Sequence, residues 1–222
     1  AEVMEKGLQG LSPAEFEVAA ESTDALVLDV RGADDFCQGF VPRSINIGLA
    51  GDFAPWVGAL IADVKQPLLL VVEEGKEEEA VTRLARVGFD NVLGYLKGGI
   101  AAWKAAGKEI DTVCRINATE FKSEVDLLKD TVVDVRKETE YRAEHVAEAL
   151  CRPLASIDQW FVGMNDKENF YLHCAGGYRS MIAASILKAK GIHNFKEVAG
   201  GFKSIAEAGV EKTNFVCQSK LV

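Results

Sequence analysis

The sequence lacks the cysteine and histidine patterns that mark secreted and metal-binding proteins. It has five cysteines, an odd number, and no two of them form a CxxC pair. Because a disulfide framework uses paired cysteines, we expect reduced thiols and a cytoplasmic protein. The three histidines do not have the spacing of metal ligands, so we expect no metal and no cofactor. These residues are Cys37, Cys114, Cys151, Cys174, Cys217, His145, His173 and His193.

Clusters of positive charge and long apolar runs are also missing. The net charge is −9 and no basic stripe is present, so we expect no nucleic-acid partner. No apolar run approaches the roughly 18 residues that span a bilayer, so we expect no membrane segment. Residues 1–6 lack the charged start and apolar core of a signal peptide. The 222 residues, 48% hydrophobic and 27% charged, are typical of a globular protein with room for two modest domains.

What the chain does contain is an internal repeat. Residues 28–31 (LDVR) resemble residues 133–136 (VDVR), a shift of 105 positions (133 − 28). Residues 98–100 (GGI) resemble residues 200–202 (GGF), a shift of 102 positions (200 − 98). The smaller shift indicates short deletions between two copies of one domain.

Within each copy, short apolar runs alternate with amphipathic stretches. This pattern predicts an α/β fold in which a mainly parallel sheet has helices on both faces. We expect two domains, residues 1–110 and 111–222, joined where the periodicity is lost at residues 105–115. Ser12 and Asn117 each have a glutamate three residues later, which predicts a capping box at a helix start.

The second copy contains a candidate nucleophile. Cys174 follows an apolar run and precedes a glycine-rich loop and a predicted helix over residues 181–190. Because N–H groups and the positive end of the helix dipole meet there, this position favours the thiolate. Gly176 and Gly177 allow backbone conformations that turn N–H groups inward, and Arg179 adds a permanent cation. We interpret each of the other four cysteines as structural or incidental, because they lack this setting.

Several motifs occur together in a fixed order. They are residues 134–136 (DVR), 140–141 (EY), 174–180 (CAGGYRS) and 198–202 (VAGGF) in copy two, and residues 29–31 (DVR), 35–36 (DF), 39–42 (GFVP) and 96–103 (LKGGIAAW) in copy one. On these motifs the chain resembles tandem rhodanese-like (sulfurtransferase) proteins over essentially its whole length. It also resembles the rhodanese repeats that follow a metallo-β-lactamase-like domain in persulfide dioxygenase fusions, through residues 46–48 and 53–58. That domain, a possible partner, would lie outside this chain, which has no HxHxDH motif.

The resemblance implies a sulfurtransferase that works through a persulfide on Cys174. The implied small-molecule partners are a donor, thiosulfate or a low-molecular-weight persulfide, and an acceptor, which is sulfite, cyanide or glutathione. The implied substrate-binding residues are Ala175, Gly176, Gly177, Tyr178 and Arg179, and the implied supporting residues are Asp134, Arg136 and Glu140.

Individual roles can be assigned to some of these residues. Arg179 is expected to hold the oxyanion part of the donor, and Glu140 to orient Arg179 through a salt bridge. Asp134 is expected to brace the neighbouring loop. His173 precedes the nucleophile on its strand and is therefore expected to point away from it. His145 is expected to pack near the domain edge and not to act as a base.

Copy one has lost the nucleophile. Its equivalent loop has no cysteine, is shorter, and carries Glu73, Glu74 and Glu77, which would repel an anionic donor. Lys76 falls opposite Arg179. We expect a noncatalytic domain that packs against copy two and narrows access to its site.

Two other functions stay open at this point. The chain could be a nonenzymatic persulfide carrier or partner-binding module of a larger sulfide-oxidising enzyme. It could also be a cysteine phosphatase or arsenate reductase, but the arginine lies five residues after the cysteine (179 − 174) instead of six. The tighter loop suits one sulfur atom better than a tetrahedral phosphate.

Overall fold

A computed structural model describes residues 2–128, 130–164 and 167–216. The chain divides into two compact units, Ala1–Thr112 and Val113–Val222. The division falls within the segment in which the sequence predicts a linker.

The first unit is built on a parallel sheet of five strands in the order β1-β5-β4-β2-β3. The strands are β1 (Gly10–Leu11), β2 (Leu26–Asp29), β3 (Ile45–Asn46), β4 (Leu68–Val71) and β5 (Val92–Leu96). The helices are α1 (Glu2–Gly7), α2 (Pro13–Thr23), α3 (Ala33–Gln38), α4 (Phe53–Leu60), α5 (Glu77–Ala85) and α6 (Gly99–Ala105).

The second unit repeats this topology, with strand order β6-β10-β9-β7-β8, again all parallel. Its strands are β6 (Arg115–Ile116), β7 (Thr131–Asp134), β8 (Leu150–Cys151), β9 (Phe170–His173) and β10 (Phe195–Val198). Its helices are α7 (Ala118–Leu128), α8 (Glu138–Ala143), α9 (Ile157–Trp160), α10 (Tyr178–Ala189) and α11 (Gly201–Glu207), with 3-10 turns at Leu154–Ser156 and Phe161–Gly163.

The central strands of both sheets are buried along their whole length, as the apolar runs predict. Every residue of β4 and of β9 is buried, because helices cover both faces of each sheet. The predicted α/β fold, with two tandem units of mainly parallel sheet, is therefore confirmed. Within the part of the chain that the structure describes, no helix is long and apolar enough to cross a membrane.

The predicted capping boxes are present at the first long helix of each unit. The Ser12 N–H donates to the Glu15 carboxylate at 2.8 Å, and the Glu15 N–H donates to Ser12 Oγ. Asn117 and Glu120 make the same pair of bonds in the second unit. Both boxes start their helix directly after an edge strand, which fixes where the chain leaves the sheet.

Candidate active site

Cys174 lies in the second unit, one residue past the carboxyl end of β9 and shortly before α10. Its side chain is buried, with 1% of the residue exposed. The N–H of Gly177, the residue that caps α10, donates to Cys174 Sγ at 3.1 Å. The sulfur therefore lies at the N-terminus of a helix, where backbone donors favour negative charge.

Only one of the two loop glycines needs to be glycine. Gly177 has φ +103°, which residues with a Cβ rarely adopt, and a Cβ there would lie 2.9 Å from Arg115 Nη2. Gly176 does not have a positive φ, and a Cβ would meet nothing within 4 Å. The expectation that both glycines permit a special backbone conformation is thus wrong for Gly176, which is an exposed turn position.

Arg179 lies in the first turn of α10 and is fixed by Glu140 from α8. Its guanidinium donates to the two carboxylate oxygens of Glu140 at 2.6 and 2.9 Å. This pairing lowers the pKa of Glu140 and raises the pKa of Arg179. The predicted salt bridge is therefore present, and it fixes the guanidinium of a residue in the first turn of α10. Ala175 and Tyr178, which lie between Cys174 and Arg179 in the sequence, are half-buried.

The active loop, which is residues 174–177 between β9 and α10, contacts the N-terminus of α11. The sequence does not predict this contact. The N–H groups of Phe202 and Lys203 donate to the carbonyls of Cys174 and Ala175 at 2.7 and 3.3 Å. Gly201 has φ +58°, and a Cβ there would lie 2.4 Å from the Cys174 carbonyl oxygen. Gly201 is therefore required for the close approach. The Gly-Gly pair repeated in both copies was the available signal.

A buried polar group beneath the loop was also missed. Ser180 Oγ lies 3.4 Å from Cys174 Sγ and 2.6 Å from Glu197 Oε1. Arg115 Nε donates to Glu197 Oε2 at 2.6 Å. Ser180 and Glu197 are both fully buried. The signal in the sequence is the glutamate itself, because it lies in the short strand β10 between Lys196 and Val198.

The predicted supporting pair, Asp134 and Arg136, forms a fork at the end of β7. Arg136 donates to both carboxylate oxygens of Asp134 at 2.6 to 3.0 Å, and to the Glu144 carbonyl. Its guanidinium lies 4.1 Å from the centre of the Phe202 ring. One chain of contacts from Asp134 to the Cys174 carbonyl therefore runs through Arg136 and Phe202.

His173 and His145, for which we expect no catalytic role, both pack against neighbouring groups. His173 is fully buried, its Nδ1 lies 3.1 Å from the carbonyl oxygen of Cys174, and burial lowers its pKa. The ring is thus neutral, and the 3.9 Å approach of Nε2 to Asp134 is no ion pair. The His145 ring stacks on Tyr141 with the ring centres 3.7 Å apart.

The remaining cysteines lie in ordinary positions. Cys37 donates to the Asp34 carbonyl, Cys114 is exposed, and burial raises the pKa of Cys151. Cys217 lies outside the described residues. Among residues 2–128, 130–164 and 167–216, no group of three or more His, Cys, Asp or Glu side chains is arranged to hold a metal ion.

Comparison with known proteins assigns the family. The model of the rhodanese-like domain matches the chain twice, at residues 12–106 and 117–208. The chain belongs to the rhodanese-like family. Its two units are a first and a second rhodanese-like domain.

Two curated relatives each match less than half of the chain. "Uncharacterized protein YibN" of Escherichia coli K12 is 35% identical over 91 residues, which is 40% of this chain and 62% of YibN. "Putative sulfur carrier protein YrkF" of Bacillus subtilis is 26% identical over 108 residues, 48% of this chain and 56% of YrkF. The chain thus matches about 60% of the length of these curated relatives. A solved rhodanese-like domain protein from Staphylococcus aureus is 30% identical and covers 45% of this chain and 97% of its own, with a TM-score of 0.41.

The first rhodanese-like domain has a different loop at the equivalent strand end. Residues 72–76 follow β4, and the loop turns at Gly75 with φ +84°. Glu73 and Glu74 are exposed, and Lys76 pairs with Glu79 at 3.1 Å. The loop has no cysteine, and the ammonium group of Lys76 forms an ion pair with Glu79 of the following helix α5.

Proposed function

We propose that the second rhodanese-like domain transfers sulfane sulfur through a persulfide on Cys174. The supporting observation is the buried Sγ at the strand end, 3.1 Å from the Gly177 N–H. The thiolate attacks the outer sulfur of thiosulfate or of a small persulfide. A new S–S bond to Sγ forms, the donor's own S–S bond breaks, and the leaving group departs with the electron pair. The terminal sulfur then carries the negative charge.

The loop and Arg179 supply the binding groups in this proposal. Backbone N–H groups of residues 175–178 surround the terminal sulfur, and Arg179 holds the oxyanion of the donor and then the departing sulfite. Glu140 keeps the guanidinium in place through its two hydrogen bonds. Asp134 and Arg136 support the loop indirectly, through Phe202.

The first rhodanese-like domain is noncatalytic in this proposal. Its loop lacks a nucleophile and presents Glu73 and Glu74, whose charge repels an anionic donor.

A second candidate is a persulfide carrier that accepts sulfur from a partner enzyme. It is favoured by the 26% identity to the B. subtilis relative whose name describes a sulfur carrier. The resemblance to persulfide dioxygenase fusions would make a metallo-β-lactamase-like domain that partner. The two candidates share the Cys174 persulfide and differ in turnover: a carrier forms it and passes it on only when its partner is added.

The test is thiosulfate consumption with cyanide, sulfite or glutathione as acceptor. The wild-type protein and Cys114→Ser, which changes an exposed cysteine, should turn over, whereas Cys174→Ser should be inactive. Full activity of Cys174→Ser would refute the proposal. Hydrolysis of p-nitrophenyl phosphate without persulfide formation would refute it in favour of a phosphatase.

A further inference from the structure

The hydroxyl of Ser180 has one hydrogen and two acceptors. Glu197 Oε1 lies 2.6 Å from Ser180 Oγ, and Cys174 Sγ lies 3.4 Å from it. One hydrogen cannot serve both acceptors at full strength. In the structure the hydroxyl hydrogen is donated to the Glu197 carboxylate, because that hydrogen bond is shorter and charge-assisted.

The hydroxyl of Ser180 and its carboxylate partner are shielded from solvent. Ser180 and Glu197 have no exposed surface, and the side chain of Arg115 is 14% exposed. Arg115 Nε holds Glu197 Oε2 at 2.6 Å, so the carboxylate keeps a charged partner when the serine hydrogen turns away.

The first rhodanese-like domain supports a link between this group and the cysteine. Arg115 faces Glu197 across the β6–β10 pairing, and the matching register position in the first domain pairs Gly10 with Tyr95. The domain without a nucleophile therefore has no ion pair at this position.

We propose that Ser180 is a hydrogen-bond switch for Cys174, with Glu197 and Arg115 as its positioning residues. This inference rests on the proposed persulfide chemistry. The serine hydrogen points to Glu197 while Sγ is neutral and turns to Sγ while Sγ carries negative charge.

The reaction visits both states of the switch. Sγ is an anion when it attacks the donor and again when it leaves as the acceptor removes the outer sulfur. Between these steps Sγ is neutral, since the charge lies on the terminal sulfur, and the serine hydrogen returns to Glu197. Only the hydrogen bond moves, and no proton leaves the site.

The proposed switch predicts that changes at Ser180 and at Glu197 have opposite effects on the Cys174 thiolate. Loss of the Ser180 hydroxyl removes a donor from the thiolate. Replacement of Glu197 by glutamine removes a competing negative charge and releases the serine hydrogen. The other titratable or charged groups around the site stay unchanged in both variants: Arg115 from β6, Asp134 from β7, Arg136 after it, Glu140 from α8, His173 from β9 and Arg179 from α10.

The test is a pH titration of thiolate absorbance near 240 nm, with Cys174→Ser as the baseline. Ser180→Ala should raise the midpoint of thiolate formation by about one pH unit and slow persulfide formation at pH 7 about tenfold. Glu197→Gln should lower the midpoint by about one unit.

Two control variants distinguish an effect on the switch from a general effect of removing a hydroxyl or a carboxylate from the domain. Ser185→Ala removes another buried hydroxyl from α10, one that donates to its own helix at Ile182. Glu124→Gln removes another carboxylate that pairs with β10, at Lys196. Both should leave the midpoint unchanged.

A raised or unchanged midpoint in Glu197→Gln would overturn the switch, as would an unchanged midpoint in Ser180→Ala. The titration uses no sulfur donor. Opposite shifts in a protein that forms no persulfide would therefore uphold the switch and refute the sulfurtransferase instead.

Discussion

The two rhodanese-like domains share their sheet order and differ in what the sheet carries. Each ends its second strand in an Asp–Arg fork, Asp29 with Arg31 and Asp134 with Arg136, and the matching contacts are nearly the same length. Because both domains have the fork, it is a feature of the shared fold. Cys174, the Glu140–Arg179 pair and the buried Glu197 belong to the second domain, and the chemistry that we propose depends on them.

The fork should be equally important to both domains. Asp29 and Asp134 are fully buried, so Asp29→Asn and Asp134→Asn each leave an arginine without its charged partner. Each should lower the free energy of unfolding of its own domain by about 4 kcal/mol. Denaturant unfolding of the separate variants measures this. A large loss confined to Asp134→Asn would show that the fork is part of the active site.

The second glycine of the Gly-Gly pair should matter to activity in one domain only. Gly99 and Gly201 both have φ +58°, so an alanine strains either backbone alike. A Cβ on Gly201 also overlaps the Cys174 and Ala175 backbone, whereas a Cβ on Gly99 meets nothing within 4 Å. Gly201→Ala should slow sulfur transfer about a hundredfold, and Gly99→Ala should not. Equal activity of the two variants would contradict this contact.

The Glu140–Arg179 pair should affect donor binding and stability at acidic pH. Glu140→Gln loosens the guanidinium and should raise KM for thiosulfate about tenfold with little change in kcat. Arg179 lowers the folded-state pKa of Glu140, so its contribution to stability is present above the unfolded value of about 4.3 and is lost as pH falls through the folded value. The pair is partly exposed, so the difference should be about 1 kcal/mol at pH 7.

The measurement is unfolding of wild type and Glu140→Gln from pH 7 to pH 3. The two curves should converge at the acidic end. A difference that grows as the pH falls would mean that the pair does not stabilise the ionised carboxylate.

A cysteine added to the first domain should not make it active. Glu73→Cys places a thiol in the loop, but Glu74 still repels the donor and Lys76 is held by Glu79. In a Cys174→Ser background we expect no turnover, while Glu73→Cys alone should keep wild-type activity and so serve as the folding control. Appreciable turnover of the double variant would show that loop length and charge matter less than we argue.

Local patterns in the sequence predicted the parts of the molecule that local forces decide. The capping boxes, the buried central strands and the cysteine at a strand end all follow from neighbouring residues. The Glu140–Arg179 pair was predicted as well, with help from the family resemblance. Arg115 and Glu197 were missed because they lie 82 positions apart, and only the register of β6 against β10 brings them together.

The glycines show the same limit. A glycine-rich loop does not reveal which glycine has a positive φ, so Gly176 was given a conformational role that belongs to Gly177. The need for Gly201 arises from the approach of a loop that begins 27 positions earlier (201 − 174), which no local pattern records.

In our proposal the second rhodanese-like domain carries sulfur, and it does so on Cys174. Intact mass spectrometry after incubation with thiosulfate, followed by peptide mapping, tests this directly. We expect a gain of one sulfur atom per chain, located on the peptide that contains Cys174. A sulfur on Cys37 or Cys217, with Cys174 unmodified, would contradict it.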